Sequence, residues 1–213
     1  MPFALRLFLL VFPLALASPA TAHPHVFIDA GLQVAVDASG RATGVTVTWE
    51  YDELYSLISF EDLGLDSDYD GQLTPEELEQ IDGFDLNWID GYEGDLYLST
   101  AAGPVAMGPP EGRGVTVVEG RIRSSHFRPL AQPVPAQELT LRVYDPGFYT
   151  AYGLGLGITI DGDCRAEVIP ADQDTADARL NTLLAARSPD EVEMDFPAVG
   201  DAYADTVVIR CAG

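Results

Sequence analysis

The twelve residues from Asp66 to Glu77 constrain the fold more than any other stretch, because they have the spacing of an EF-hand calcium loop. Ca²⁺ prefers six to eight oxygen ligands, which a tight acidic loop can supply. Gly71 falls at loop position 6, where the chain must turn sharply. The predicted ligands at positions 1, 3, 5, 7, 9 and 12 are Asp66, Asp68, Asp70, Gln72 through its backbone carbonyl, Thr74 directly or through water, and Glu77.

The flanks of this loop predict helices on both sides, giving a helix-loop-helix at about residues 51–90. Thr74-Pro75-Glu76-Glu77 is typical of an N-cap, a proline in the first turn and a capping-box glutamate. Gly83 interrupts the exit helix, and a further helical turn is expected around residues 86–89. The entering helix is predicted from apolar residues at helical spacing: Leu54, Tyr55, Ile58, Phe60 and Leu63. The alternative is a solvated acidic turn without an ion.

Residues 1–22 have the pattern of a secretory signal peptide. Arg6 precedes an apolar run over residues 7–17, and Ala20-Thr21-Ala22 matches a cleavage site. At about eleven residues, the run is too short to span a bilayer as a helix. We therefore expect a mature protein that begins at His23, is exported to the periplasm and is not inserted into the membrane.

The charge of the chain restricts its partners. Residues 1–22 contain one arginine and no acidic residue, so the mature chain has 10 basic and 34 acidic residues, a net charge of −24. This charge argues against nucleic acid and anionic membrane surfaces, and favours cations or basic partners. The alternative is that acidity only keeps an exported protein in solution.

The chain contains two cysteines, Cys164 and Cys211. In an exported protein the expected state is one disulfide, which closes a loop of about 48 residues and contributes about 4 kcal/mol by loop entropy. It would fix the last strand to the body. A metal-binding thiol pair is the alternative.

The rest of the chain has mostly strand patterns. Residues 26–36 and 45–51 alternate apolar and polar side chains and predict a hairpin, and residues 172–187 predict a helix. Further strands are predicted at 95–99, 104–107, 114–122, 138–144, 154–160, 165–169 and 203–210. The predicted fold class is α+β: one domain over residues 23–213, with a sandwich-like body of antiparallel strands, a helical EF-hand insertion and one later helix.

The predicted mature terminus, His23-Pro24-His25, could bind a transition metal. An N-terminal amine, its imidazole and a second imidazole form a histidine brace for Cu²⁺, and with His126 the set also suits Zn²⁺ or Ni²⁺. Pro24 lacks a backbone N–H, so a site that needs a deprotonated second amide cannot form. The alternative is that these histidines are ordinary polar residues. No nucleotide-binding, hydrolase or metalloprotease motif is present, and no catalytic residue is predicted.

With its signal peptide, His23-Pro24-His25-Val26-Phe27 start, acidic loop and Tyr144-Asp145-Pro146, the chain resembles the exported bacterial proteins of domain-of-unknown-function family one thousand and seven. These proteins are often labelled the periplasmic component of an uncharacterised ABC-type transport system. They often accompany nickel/cobalt exporters of the inner membrane. The resemblance implies a role in periplasmic transition-metal handling.

These features predict a calcium-binding accessory protein in transition-metal handling or transport. One alternative is a calcium-stabilised protein-interaction module without a transition-metal role. A minor alternative is a histidine-brace copper enzyme. An unpaired EF-hand in an exported protein is expected to bind Ca²⁺ with a Kd on the order of 10⁻⁴ to 10⁻³ M, which suits a structural site.

Overall fold

A computed structural model describes residues 23–212, so the predicted signal peptide at residues 1–22 lies outside the described residues. The described strands are β1 (Val26–Val36), β2 (Arg41–Tyr51), β3 (Leu96–Thr100), β4 (Gly103–Pro104), β5 (Glu111–Val118), β6 (Arg121–Pro135), β7 (Thr140–Val143), β8 (Thr150–Ile160), β9 (Cys164–Ile169) and β10 (Thr206–Cys211). The described helices are α1 (Glu53–Leu63), α2 (Pro75–Ile81), a short 3₁₀ helix (Ala136–Glu138), α3 (Gln173–Ala185), α4 (Pro189–Met194) and α5 (Gly200–Tyr203).

Within residues 23–212 the strands form two five-stranded sheets, in the orders β5-β6-β2-β1-β8 and β4-β3-β7-β10-β9. The apolar faces of both sheets share one core, because Val45 and Ile28 of the first sheet cluster with Leu141 and Val207 of the second. Burying alternate side chains in this way is the expected outcome of a period-two pattern. The predicted α+β class with a sandwich-like body is confirmed.

The predicted β1–β2 hairpin is confirmed, with Leu32 opposite Val47 in an antiparallel register. One pairing departs from the antiparallel prediction, because β8 runs parallel to β1. The chain arrives from β7 in the other sheet, and a turn at residues 144–149 delivers it to the end where β1 begins. There the Tyr149 carbonyl accepts from the His25 N–H at 2.8 Å.

The stretch 114–122, predicted as one strand, belongs to two strands, because the chain reverses inside it. Glu119 and Gly120 both have positive φ, which a tight hairpin turn requires. The hairpin joins β5 to the long β6, which pairs with β2 on its other side. The inward face of β6 carries polar side chains, so its alternation does not show in a hydropathy pattern.

The helical insertion follows β2. Asp52 caps α1 by accepting from the Tyr55 N–H at 2.9 Å, and Thr74 caps α2. Residues 86–89, predicted as a helical turn, are not helical. Instead they belong to a segment, residues 82–95, whose Trp88 packs against the first sheet. The predicted helix at 172–187 is α3, and two short helices, α4 and α5, follow it.

The predicted disulfide between Cys164 and Cys211 is confirmed. The two residues lie opposite each other in the antiparallel β9–β10 pair. The bond therefore fixes the last strand to its neighbour, as expected. A disulfide is typical of oxidising compartments. Over residues 23–212, no helix has both the length and the apolar character needed to cross a membrane.

Candidate metal centres

The predicted calcium loop connects α1 to α2, and local structure fixes both of its ends. At Gly64 the positive φ of 67° lets the backbone N–H bond to carbonyls of the last turn of α1. The next residue, Leu65, is buried in the core. At the other end Thr74 and Glu77 form the predicted capping box, with Pro75 in the first turn of α2.

Three of the predicted ligands converge. Carboxylate oxygens of Asp66, Asp68 and Asp70 lie within 4.8 Å of one another. Asp66 is buried, and its carboxylate accepts from the backbone N–H groups of Asp70 at 3.0 Å and Gly71 at 3.2 Å. Gly71 has a φ of 75°, so it makes the sharp turn predicted for it. Because three like charges at this separation repel one another, a divalent cation between them would be favourable.

The carboxylate of Glu77 lies beside this group without joining it. Its Oε1 accepts from the Asp66 N–H at 3.0 Å, and its Oε2 accepts from the Thr74 N–H and hydroxyl, both at 2.9 Å. These hydrogen bonds, those from Thr74 first, lower the pKa of Glu77. Gln72, predicted to bind through its backbone carbonyl, donates its backbone N–H to the Asp70 carboxylate at 2.8 Å.

The chemistry of this loop fits a hard cation. Its charged donors are all carboxylate oxygens, which suit Ca²⁺ and do not suit soft metals. Asp66, Asp68 and Asp70 would hold the ion. Glu77 is hydrogen-bonded to the backbone of the first of these ligands, and so is tied to the same loop.

His23 and His25, at the predicted mature terminus, lie side by side. The rings of His23 and His25 have centroids 4.7 Å apart. His23 stacks on Phe196 at 3.9 Å, and His25 lies 4.7 Å from Tyr149. Burial and the neighbouring His25 lower the pKa of His23, which favours the neutral imidazole that a metal requires. Two imidazoles form an incomplete site, and an α-amine at His23 would supply a third nitrogen ligand.

His126 does not belong to this pair. It lies on β6 opposite Val47, which in turn lies opposite Leu32 of β1. His25 lies seven residues before Leu32, just ahead of β1, and seven residues of strand span about 23 Å. His126 also faces the core with 1% of its surface exposed, whereas His25 is exposed. The predicted three-histidine site is therefore wrong, because the sheet register separates its members.

A protein-family model described as "Protein of unknown function (DUF1007)" matches residues 8–211. The chain belongs to this family. No curated protein matched the chain. The family description of this DUF1007 protein states no activity.

The DUF1007 protein also has a buried polar row that its sequence did not predict. Ser124, His126 and Arg128 alternate along β6 and all face inward. The segment 82–95 covers them. From this segment, Asp85 accepts hydrogen bonds from the Ser124 hydroxyl and, at 3.0 Å, from the Tyr51 hydroxyl.

Arg128 and His126 are enclosed by aromatic rings. The Arg128 guanidinium lies 4.7 Å from the Trp88 ring centroid and donates to the backbone carbonyls of Gly108 and Glu93. The His126 ring lies 4.8 Å from Trp49 and 5.4 Å from Trp88. Both its nitrogens lack a hydrogen-bond partner among the described residues. Burial, with a smaller effect of Arg128, lowers the pKa of His126 to about 4.

This row holds the segment after α2 against the first sheet. A signal for it exists in the sequence, namely the period-two spacing of Ser124, His126 and Arg128 after a hairpin turn. That spacing predicts a shared face. It does not predict that the polar face is the buried one, because that depends on Trp88 and Asp85 from another part of the chain.

Proposed function

We propose that this DUF1007 protein is an exported metal-binding accessory protein of the periplasm. Ca²⁺ bound between α1 and α2 stabilises the fold, and the His23–His25 pair holds a transition-metal ion on behalf of an inner-membrane metal transporter. The observation that carries the proposal is the convergence of three aspartate carboxylates in a loop closed at both ends by helix caps.

The support for Ca²⁺ comes from what the loop connects. Its exit helix α2 leads directly into the segment 82–95, which covers the buried row on β6. An ion that relieves repulsion among Asp66, Asp68 and Asp70 would stabilise that connection. An isolated loop of this type is expected to bind Ca²⁺ with a Kd on the order of 10⁻⁴ to 10⁻³ M, so the site would be structural where calcium is plentiful.

The support for a transition metal comes from the adjacent imidazoles and from the family. Neutral imidazoles suit Ni²⁺, Cu²⁺ and Zn²⁺, which the carboxylate loop does not favour. The two sites would thus select different ions. The disulfide is consistent with export, and resemblance to proteins that accompany nickel/cobalt exporters supports a transport context.

The calcium proposal is tested by thermal unfolding with and without millimolar Ca²⁺. We expect Ca²⁺ to raise the Tm of the natural protein. The Tm of the Asp68→Ala variant should be the same with and without Ca²⁺. Asp62→Ala is the matched control, because Asp62 is an exposed aspartate at the end of α1 outside the loop. A Tm that ignores Ca²⁺ in the natural protein would contradict the proposal.

The transition-metal proposal is tested by calorimetric titration with Ni²⁺, Zn²⁺ and Cu²⁺ in saturating Ca²⁺, after N-terminal sequencing confirms a start at His23. We expect one site that His25→Ala weakens by at least about tenfold, as expected for losing one of three ligands. His126→Leu is the control and should bind normally, since His126 is buried and remote. Equal affinities for His25→Ala and the natural protein would exclude the site.

A further inference from the structure

The helix α1 exposes several of the apolar residues that its sequence pattern predicts to be inside, among them Leu54 and Ile58. Together with Leu57, they are between 48% and 63% exposed, although the three stand three and four residues apart on one helix face. Of the predicted apolar residues only Phe60 is fully buried, and Ser56 shares its side of the helix. The Ser56 hydroxyl accepts from the backbone N–H of Ile122 on β6 at 2.9 Å, and this bond fixes which side faces inward.

An aromatic side chain extends this exposed face. Phe27 on β1 is 54% exposed and lines the same shallow hollow as Leu54 and Glu53. Its backbone is tied to the start of α1, because its N–H donates to the Asp52 carboxylate at 2.8 Å and its carbonyl accepts from the Asp52 N–H at 2.9 Å. Phe27 and the start of α1 are therefore held together by one backbone hydrogen bond and one hydrogen bond to the Asp52 carboxylate.

Acidic side chains border the apolar residues. Glu53, Glu61 and Asp62 are all exposed, and residues 53–63 contain no lysine or arginine. Glu61 and Asp62 stand in the last turn, where the helix dipole disfavours negative charge. Arg121 also lines the hollow, but its guanidinium is paired with Glu50 at 2.8 Å. The border thus has uncompensated negative charge that a basic group would neutralise.

Charge complementarity selects the occupant. A second copy of this chain, at −24 once residues 1–22 are removed, would bring like charges together, and an anionic membrane would repel the acidic border. Burying Leu54, Leu57 and Ile58 needs apolar side chains, and Glu53, Glu61 and Asp62 need lysine or arginine. We infer that the outer α1 face, namely Phe27, Leu54, Leu57 and Ile58 with their acidic border, binds a basic amphipathic segment of a partner protein.

The outer α1 face is distinct from the candidate calcium site. Its geometry is set by Asp52, Ser56 and Phe60, and none of these is a predicted calcium ligand. It adjoins the N-terminal histidines, because His25 lines the same hollow. A partner docked here would therefore lie next to the proposed transition-metal ligands. The docking itself requires neither ion, so failure of the metal proposals would leave it standing.

The test uses a fluorescently labelled amphipathic Lys/Leu peptide of about four helical turns. Its binding to the full mature protein is measured by anisotropy, in Ca²⁺ and in EDTA. We expect saturable binding under both conditions. A scrambled peptide of the same composition should bind at least about tenfold more weakly, since it cannot present its leucines on one face.

Variants locate the site. We expect Leu57→Ser combined with Ile58→Asn to weaken the Lys/Leu peptide by at least about tenfold, which is the scale for losing a buried leucine contact. Ala38→Ser is the control, because Ala38 is an exposed apolar residue in the β1–β2 turn, at the end of β1 opposite to Phe27, and the change should not alter the affinity. Unchanged unfolding curves confirm that the variants fold.

Three results would overturn the inference. The first is equal binding of the scrambled peptide, which would indicate non-specific attraction to an acidic protein. The second is an affinity of the double variant for the Lys/Leu peptide that equals that of the natural protein. The third is that the natural protein self-associates in sedimentation experiments and the double variant does not, which would make a second copy the occupant.

Discussion

The acidic loop at residues 66–77 and the buried row on β6 are both clusters of polar side chains, yet they are built in opposite ways. In the loop, residues 66–77 provide nearly all of their own contacts, and Asp66 is oriented by backbone N–H groups four and five residues away. In the row, Ser124, His126 and Arg128 depend on Asp85, Trp88 and Glu93, which lie about forty residues earlier in the chain.

This difference determines what each region does when it is perturbed. Two of the three converging carboxylates in the loop, those of Asp68 and Asp70, are exposed, so their charges are screened and an ion can reach them. The row is enclosed, so a polar group that loses its partner there cannot replace it with water. Damage to the row should therefore unfold the protein, whereas damage to the loop should mainly remove the response to calcium.

The largest expected effect is that of Arg128→Ala. It removes a buried side chain, its two hydrogen bonds to backbone carbonyls and its contact with Trp88. We expect a loss of about 3 kcal/mol in the free energy of unfolding, measured with urea. Arg113→Ala removes a half-exposed arginine from β5 and should cost about 0.5 kcal/mol or less. If the two variants lost similar amounts of free energy of unfolding, the buried row on β6 would not be stabilising the fold.

The second prediction concerns His126 and pH. Its folded pKa of about 4 lies below the unfolded value of about 6.5, so protonation favours the unfolded chain. Stability is therefore full above pH 6.5 and falls as the pH drops towards 4, by about 3 kcal/mol in total.

Asp95 opposes this trend. Burial raises its pKa to about 6, so its contribution is present below its unfolded pKa of about 3.8 and is lost as the pH rises through 6. The His126 effect should therefore be measured as a difference between the natural protein and His126→Leu, by urea unfolding from pH 7.5 to 4.5. We expect the variant to gain relative stability as the pH falls. If the free energy of unfolding of the two proteins changed equally with pH, the prediction of a buried, neutral His126 would be contradicted.

The same contrast explains which features could be predicted from sequence. The capping box at Thr74, the turn at Gly71 and the β1–β2 hairpin depend on neighbours in the chain, and they formed as expected. The inward face of α1 was predicted only in part: Phe60 is buried as expected, but Leu54 and Ile58 are exposed, because the hydrogen bond from Ile122 to Ser56 turns the side of Ser56 and Phe60 inward. The site of three histidines failed for a similar reason, since sheet register is a tertiary property.

The last prediction compares two helix caps that are nearly identical. Thr74 and Ser188 each begin a capping box with proline in the first turn, on α2 and α4 respectively. Replacing either by alanine should cost about 1 kcal/mol of stability in calcium-free solution, because each change removes one N-cap hydrogen bond. Only α2 closes the acidic loop. Thr74→Ala should therefore also reduce the Tm increase on adding Ca²⁺, whereas Ser188→Ala should keep it in full. If both variants responded to Ca²⁺ alike, the cap at Thr74 would be an ordinary helix start, and the loop would order its carboxylates without help from α2.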